Sequence, residues 1–107
     1  MTLKQIEYFQ TVCAKGNISA AAEALFISRS VVSRAIAELE EEFGTQIFTR
    51  SKNGVALTES GTILAQLFET FTASYATAKG RIGRLRTQEQ TSAFMSSLIG
   101  SLYNHLA

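Results

Sequence analysis

Apolar residues in the first 44 positions recur with the period of amphipathic helices. The first predicted helix carries an apolar stripe at spacings of three residues, formed by Leu3, Ile6, Phe9 and Val12. Gly16-Asn17 ends this helix, because both residue types tolerate the left-handed conformation that closes a helix.

Two further short helices follow. Ser19 is predicted to cap a helix of small residues that ends at Leu25, and another helix can approach such residues closely. Ser28 then caps a third helix that runs from Arg29 to Phe43, and Gly44 closes it.

The period changes between residues 46 and 57. Short β-prone runs at 47–50 and 55–57 flank Asn53-Gly54, a pair that is typical of two-residue hairpin turns. Strands this short need support from the helices. Three helices followed by a hairpin predict a mainly α fold, a winged helix-turn-helix domain over residues 1–57.

From Thr58 the helical period returns and persists. A heptad seam predicts a long dimerisation helix over 58–82, formed by Leu64, Phe68, Phe71, Tyr75, Ala78 and Ile82 and continued by Leu85. The alternative is that this seam folds back on the chain's own helices. A polar stretch at 84–91 is followed by a second apolar stripe at 92–106, which predicts a short C-terminal helix capped by Ser92.

The third helix has two unlike faces. At about 100° per residue its large apolar residues share one side, and the opposite side carries Ser30, Ser33, Arg34 and Ala37. Small hydroxyl residues and one Arg suit a DNA major groove, where Arg can bond guanine bidentately. The alternative is a face that is merely solvated.

The hairpin favours the first interpretation. Arg50 and Lys52 lie at its tip, with no acid between Phe48 and Leu57, which suits contacts to phosphates. Acids crowd the other end of the third helix, at 38 and 40–42, so only its N-terminal half is expected to enter DNA. Most of these acidic side chains are predicted to be solvated. Glu40 is available to pair with a basic side chain elsewhere in the fold.

Three other features have simpler interpretations. A basic cluster is formed by Lys79, Arg81, Arg84 and Arg86. The favoured interpretation is that these residues stabilise the C-terminal end of a helix, and the alternative is that they contact DNA. Cys13 is predicted to be a small buried apolar residue. His105 has no assigned role.

Composition excludes several classes of protein. The 107 residues include one His, one Cys and no Asp, which predicts no metal site, no cofactor and no enzyme. A single Cys fits a reducing cytoplasm. No apolar run approaches the roughly 20 residues of a membrane span. The net charge of +1 is uninformative.

Residues 1–80 resemble the DNA-binding domain of LysR-type transcriptional regulators. The resemblance rests on Gly16-Asn17-Ile18-Ser19-Ala20-Ala21-Ala22, Val32-Ser33-Arg34-Ala35-Ile36, Ile47-Phe48-Thr49-Arg50, Gly54-Val55-Ala56-Leu57-Thr58 and Gly61. It implies a bacterial regulator that dimerises through its long helix, and it leaves open whether dimers join into higher oligomers. The dimer would bind double-stranded DNA at an interrupted inverted repeat.

The resemblance also assigns site residues. It implies that a recognition helix begins at Ser28 and that positions 29, 30, 33 and 34 face DNA. The family usually has Gln and Pro at 29 and 30, whereas this chain has Arg29 and Ser30. Gln reads adenine, whereas Arg prefers guanine or phosphate. The family pattern holds at Ser33, Arg34, Arg50 and Thr58.

The C-terminal part departs from the family. Residues 83–107 are expected to be the stub of an effector domain, in which 83–86 resemble its first strand and 92–106 its first helix. No small-molecule effector site is expected in this chain. The leading hypothesis is a dimeric sequence-specific DNA-binding module. The alternative is a shortened interaction or dominant-negative subunit that pairs with a full-length relative.

Overall fold

The chain folds as three helices, a two-stranded hairpin and one long helix. A computed structural model describes the backbone of residues 1–106 and the side chains of 1–102. The elements are α1 (Leu3–Lys15), α2 (Ile18–Leu25), α3 (Arg29–Phe43), β1 (Phe48–Ser51), β2 (Gly54–Leu57) and α4 (Glu59–Leu106). The predicted mainly α, winged helix-turn-helix architecture is confirmed.

The core of the winged domain is centred on Phe9. This residue of α1 is fully buried, and its ring lies 5.3 Å from that of Phe48 in β1 and 5.2 Å from that of Phe68 in α4. The contact with Phe68 is edge-to-face, a favourable geometry for aromatic pairs. One side chain therefore joins α1, the hairpin and the start of α4.

The first turns of α4 pack with the three helices and the wing. The chain forms two units, residues 1–70 and the part of α4 from Phe71 onward. The first turns of α4 belong to the first unit because Leu64 and Phe68 are buried in its core. The seam assignment is corrected for these two residues, since they face the chain's own core instead of another chain.

The caps of α1 and α3 agree with the sequence prediction, whereas the N-cap of α2 does not. Gly16 and Gly44 close α1 and α3 in the left-handed conformation, and Ser28 caps α3. The cap of α2 is Asn17 and not Ser19, because the Asn17 Oδ1 atom accepts a hydrogen bond of 2.6 Å from the Ala20 amide. The helix begins one residue after this cap, at Ile18, whose side chain is buried.

The hairpin turn differs from the expected Asn-Gly turn. Ser51 pairs with Gly54, so the two loop residues are Lys52 and Asn53. Gly54 has a φ of 121°, whereas Asn53 does not adopt a positive φ. The glycine is required at the start of β2 because a Cβ atom there would overlap the carbonyl oxygen of Gly16.

The C-terminal part is one continuous helix. The predicted strand at 83–86 and the separate helix capped by Ser92 are both wrong, because α4 runs unbroken from Glu59 to Leu106. Gly83 costs about 1 kcal/mol relative to Ala in a helix, which the residues around it outweigh. Ala107 lies outside the described residues, and the side chain of His105 is likewise not described. No helix in residues 1–106 is long and apolar enough to cross a membrane.

Phe43 is not part of the core, although the helical pattern places it on the apolar side of α3. Its side chain is 43% exposed and lines an open apolar groove with Ile63 and Leu67 of α4. The last turn of α3 therefore borders the core without entering it.

Phe26 joins α2 to α3 in an unfavourable backbone conformation. Its φ of 57° and ψ of 39° are left-handed, which Gly and Asn adopt more readily than Phe. The side chain is 95% exposed, so burial of the ring does not compensate for the strain.

We expect Phe26→Asn to raise the free energy of unfolding by about 0.5–1 kcal/mol, because Asn tolerates the left-handed region. Chemical denaturation measures this change. Phe26→Ala removes the same ring but keeps an ordinary L-residue at this φ, so it should leave stability nearly unchanged. An Asn variant no more stable than the Ala variant would contradict the strain argument.

Candidate nucleic-acid interface

The two faces of α3 are as the helical pattern predicts. Val32, Ile36 and Leu39 are buried, whereas Ser30, Arg34 and Ala37 are exposed and Ser33 is half-buried. The outward side of the helix therefore presents hydroxyls and a guanidinium on small neighbours. Such a surface permits close approach by a polar ligand.

Ser28 and Ser30 form a hydroxyl pair at the start of α3. Their Oγ atoms lie 3.0 Å apart, and the Ser28 Oγ atom accepts a hydrogen bond of 3.4 Å from the Val31 amide. Ser28 is therefore a helix cap whose hydroxyl also supports Ser30. Both residues are exposed, and the Ser28 hydroxyl is in addition engaged with the Val31 amide.

The wing is fixed against the α1–α2 turn. The Val55 amide donates a hydrogen bond of 2.9 Å to the Gly16 carbonyl oxygen. Close contact at Gly54 permits this bond, since any side chain there would overlap Gly16. The exposed Arg50, which pairs with Val55, and Lys52 in the turn lie at this same end of the hairpin, so both are held beside the start of α2.

A polar cleft lies between the wing and the starts of α2 and α3. Its volume is about 450 Å³, and its lining includes Arg29, Arg50 and Lys52 together with the first residues of α2. The described residues that line it include no carboxylate. The structure thus brings Arg29 together with the two predicted wing residues, which the sequence did not indicate.

Thr58 has a structural role at the start of α4. Its hydroxyl donates a hydrogen bond of 2.7 Å to the Gln46 carbonyl oxygen and accepts one of 3.0 Å from the Gly61 amide. The hydroxyl proton is therefore used within the fold. The DNA contact expected of Thr58 stays a prediction, and these two bonds give the residue a second role in the fold.

The acidic end of α3 is largely engaged within the domain. Glu40 accepts a hydrogen bond of 2.9 Å from the Ile47 amide, so its partner is the backbone before β1 and not a basic side chain. Glu38 accepts one of 2.6 Å from Gln5 Nε2. Glu42 lies 3.3 Å from the N-terminal ammonium of Met1. These acids stabilise packing at the end of α3 farthest from Arg29.

The basic cluster at 79–86 lies within α4, in the second unit. Lys79, Arg81, Arg84 and Arg86 are exposed, and the helix continues well beyond them. A helix C-terminus therefore does not explain this cluster, contrary to the interpretation favoured from the sequence.

The remaining seam residues are exposed in the second unit. Phe71 and Tyr75 are 39% and 48% exposed and stack with ring centroids 6.2 Å apart, and Ile82 is 58% exposed. Ala78 is exposed as well. This part of α4 has an apolar face that its own unit does not cover.

Cys13 is exposed, contrary to the buried position expected from the sequence. Partial burial of the thiol raises the pKa of Cys13 above its usual value. A raised thiol pKa lowers the fraction of reactive thiolate near neutral pH. Within the described residues, no three His, Cys or acidic side chains come together as metal ligands.

Residues 3–62 match the family of bacterial regulatory helix-turn-helix proteins, lysR family. The match covers more than half of the chain, including all three short helices and the wing. The chain therefore belongs to the LysR family, as the resemblance implied.

Named relatives agree with this assignment. The chain is 38% identical over 94 residues to the HTH-type transcriptional regulator ClcR of Pseudomonas putida, covering 80% of this chain and 32% of ClcR. It is 31% identical over 90 residues to the transcriptional regulator YybE of Bacillus subtilis, covering 84% of this chain and 31% of YybE. The chain thus spans about a third of each relative. Both of these relatives are transcriptional regulators.

Solved structures show the same architecture. The DNA-binding domain of CbnR, solved in complex with DNA, superposes with a TM-score of 0.72 at 28% identity, covering 76% of this chain and 93% of that one. The DNA-binding domain of BenM, solved with benA site 1 DNA, gives a TM-score of 0.75 at 28% identity and covers 79% and 99%.

Sequence reasoning missed the residues at the start of α2. Asn17 and Ser19 line the polar cleft with the wing. The signal was Gly54, because a Cβ atom there would overlap the Gly16 carbonyl oxygen and so prevent the backbone contact that holds the wing beside α2.

Thr58→Ala should lower the free energy of unfolding by about 1 kcal/mol, the usual cost of losing a helix cap, while leaving DNA affinity nearly unchanged. Thr58→Ser keeps the hydroxyl and should restore most of this stability. Thermal denaturation and anisotropy titration with duplex DNA measure the two effects. A large loss of affinity in a stably folded Ala variant would instead support the DNA contact that the family resemblance implies for Thr58.

Proposed function

We propose that residues 1–70 bind double-stranded DNA in a sequence-specific manner, with α3 in the major groove and the wing on the phosphate backbone. The observation that carries this proposal is the exposed polar face of α3 around Arg34, next to a basic wing. Arg34 would bond a guanine edge, and the small neighbours Ser30, Ser33 and Ala37 would let the helix approach it. CbnR and BenM domains of the same fold were solved with DNA.

The charge distribution along α3 supports entry by its N-terminal half. Three of the four acids at its other end are bonded to Ile47, Gln5 and the Met1 ammonium, so these three are held close to the domain. Phosphates would be repelled from that end and attracted to the free amides at the start of the helix. One orientation on DNA is thereby favoured.

We expect Arg34→Ala to weaken binding to a selected duplex by about 10- to 100-fold, because loss of a bidentate base contact costs about 1–3 kcal/mol. The duplex is obtained by selection from a random-sequence pool with the unaltered protein. Affinity for an unrelated duplex and the melting temperature should change little.

Lys4→Ala is the matched control, since it removes one exposed positive charge from α1 outside the polar face and the cleft. Its affinity for the selected duplex should match that of the unaltered protein. An Arg34→Ala variant with unchanged affinity for that duplex would contradict the proposed recognition face. Failure of the unaltered protein to enrich any sequence would contradict the function itself.

We also propose that the exposed seam of α4 pairs with a second copy of the chain. Phe71, Tyr75 and Ile82 follow a heptad spacing, which is the pattern of helices that pack against one another. A dimer places two recognition helices on one duplex and so matches an inverted repeat. As part of a LysR-family protein, such a dimer would regulate transcription.

Tyr75→Glu should raise the dimer dissociation constant by about 100-fold or more, because a buried unpaired carboxylate opposes packing of the seam. Ala73→Glu is the matched control, since Ala73 lies about 180° from the seam on an ideal helix. Light scattering over a concentration series measures both. Equal dissociation constants for the two variants would contradict the proposed interface.

A further inference from the structure

The cleft between the wing and the helix starts has the chemistry of an anion site. Arg29, Arg50 and Lys52 converge on it from two different elements, α3 and the wing. None of the described residues that line the cleft is acidic, so these positive charges are not neutralised there. Three cations held together in a cleft without a carboxylate attract a negatively charged group.

The start of α2 adds neutral donors to the same cleft. The first intrahelical bond of α2 runs from the Ala21 amide to the Asn17 carbonyl oxygen, at 3.2 Å. Helix geometry therefore leaves the amides of Ile18 and Ser19 without an intrahelical acceptor. Both residues line the cleft, and Ser19 contributes an exposed hydroxyl.

Arg29 lies on the flank of α3 that faces this cleft. On an ideal helix it stands about 90° from the middle of the polar face that contains Ser33 and Arg34. The side chain shares the cleft with Arg50 and Lys52 of the wing. Arg29 therefore lines the cleft, whereas Arg34 lies on the polar face of α3 and is not among the cleft residues.

We propose that this cleft binds one phosphate group of the DNA backbone and that Arg29 is a ligand of that phosphate and not a reader of bases. The inference rests on the proposed function and adds to it a role for a residue at which the chain departs from the common family pattern. A guanidinium suits the task because its planar fork can bond two phosphate oxygens at once. The wing cations and the α2 amides would contact the remaining oxygens.

Affinity and salt dependence separate the two possible roles of Arg29. Arg29→Ala should lower affinity about tenfold, by the same factor on the selected duplex and on an unrelated one. Its plot of log affinity against log salt concentration should lose about one unit of slope. Lys52→Ala should behave in the same way, whereas the Arg34→Ala loss should be confined to the selected duplex. Lys4→Ala should show neither effect.

Neutral phosphates give a direct test. Methylphosphonates replace the backbone phosphates of the selected duplex one at a time. At one position in each half-site, substitution should weaken binding of the unaltered protein by a clearly larger factor than binding of Arg29→Ala, whereas at every other position the two factors should be equal. Arg29→Lys keeps the charge, so it should recover the salt slope and the sensitivity at that position.

A loss of affinity by Arg29→Ala that is confined to the selected duplex, with an altered base preference, would overturn the inference in favour of base reading. Unchanged affinity of a folded Arg29→Ala variant would overturn it as well. So would a result in which, at every position, the methylphosphonate lowers the affinity of Arg29→Ala by the same factor as that of the unaltered protein. None of these results affects the proposed function, which fails only if the unaltered protein selects no DNA.

Discussion

The packing of Phe9 against Phe48 and Phe68 is the contact on which the winged domain depends. It brings α1, the hairpin and the first turns of α4 onto one fully buried ring. Truncation of a buried Phe typically costs about 3–5 kcal/mol, a large part of the stability of a small domain. The same contact fixes the root of the wing and the direction in which α4 begins. Both proposed interfaces are therefore built on elements that one aromatic cluster holds.

The two ends of α3 carry opposite charges and have different neighbours. Near Arg29 the helix borders the wing, whose cations are exposed and have no acid among them. At the other end, Glu38, Glu40 and Glu42 accept bonds from the start of α1 and from the segment before β1. A net charge close to zero thus conceals a surface that is basic on one side. Position, and not composition, gives the chain its affinity for an acidic polymer.

The sequence predicted the elements that depend on local rules. The stripes of α1 and α3, the caps at Gly16, Ser28 and Gly44, and the outward position of Arg34 follow from periodicity and cap chemistry. Contacts between distant segments were not predictable. The spacing of apolar residues shows that a helix has an apolar face, but it does not show which segment packs against that face. Leu64 and Phe68 share the heptad with Tyr75, yet the core of the first unit buries them and leaves Tyr75 exposed. The position of Arg29 beside the wing depends on the distant pair Gly16 and Gly54.

The bond between the Val55 amide and the Gly16 carbonyl oxygen means that the cleft is formed without a ligand. A loose wing would lose conformational entropy on binding, and that cost would offset part of the attraction to DNA. A tethered wing avoids much of this cost, so release of counterions from DNA would be a main source of favourable entropy for the phosphate site that we propose. The rate of encounter with DNA would then depend on the electrostatic field of the cleft and not on the time that a flexible hairpin takes to order.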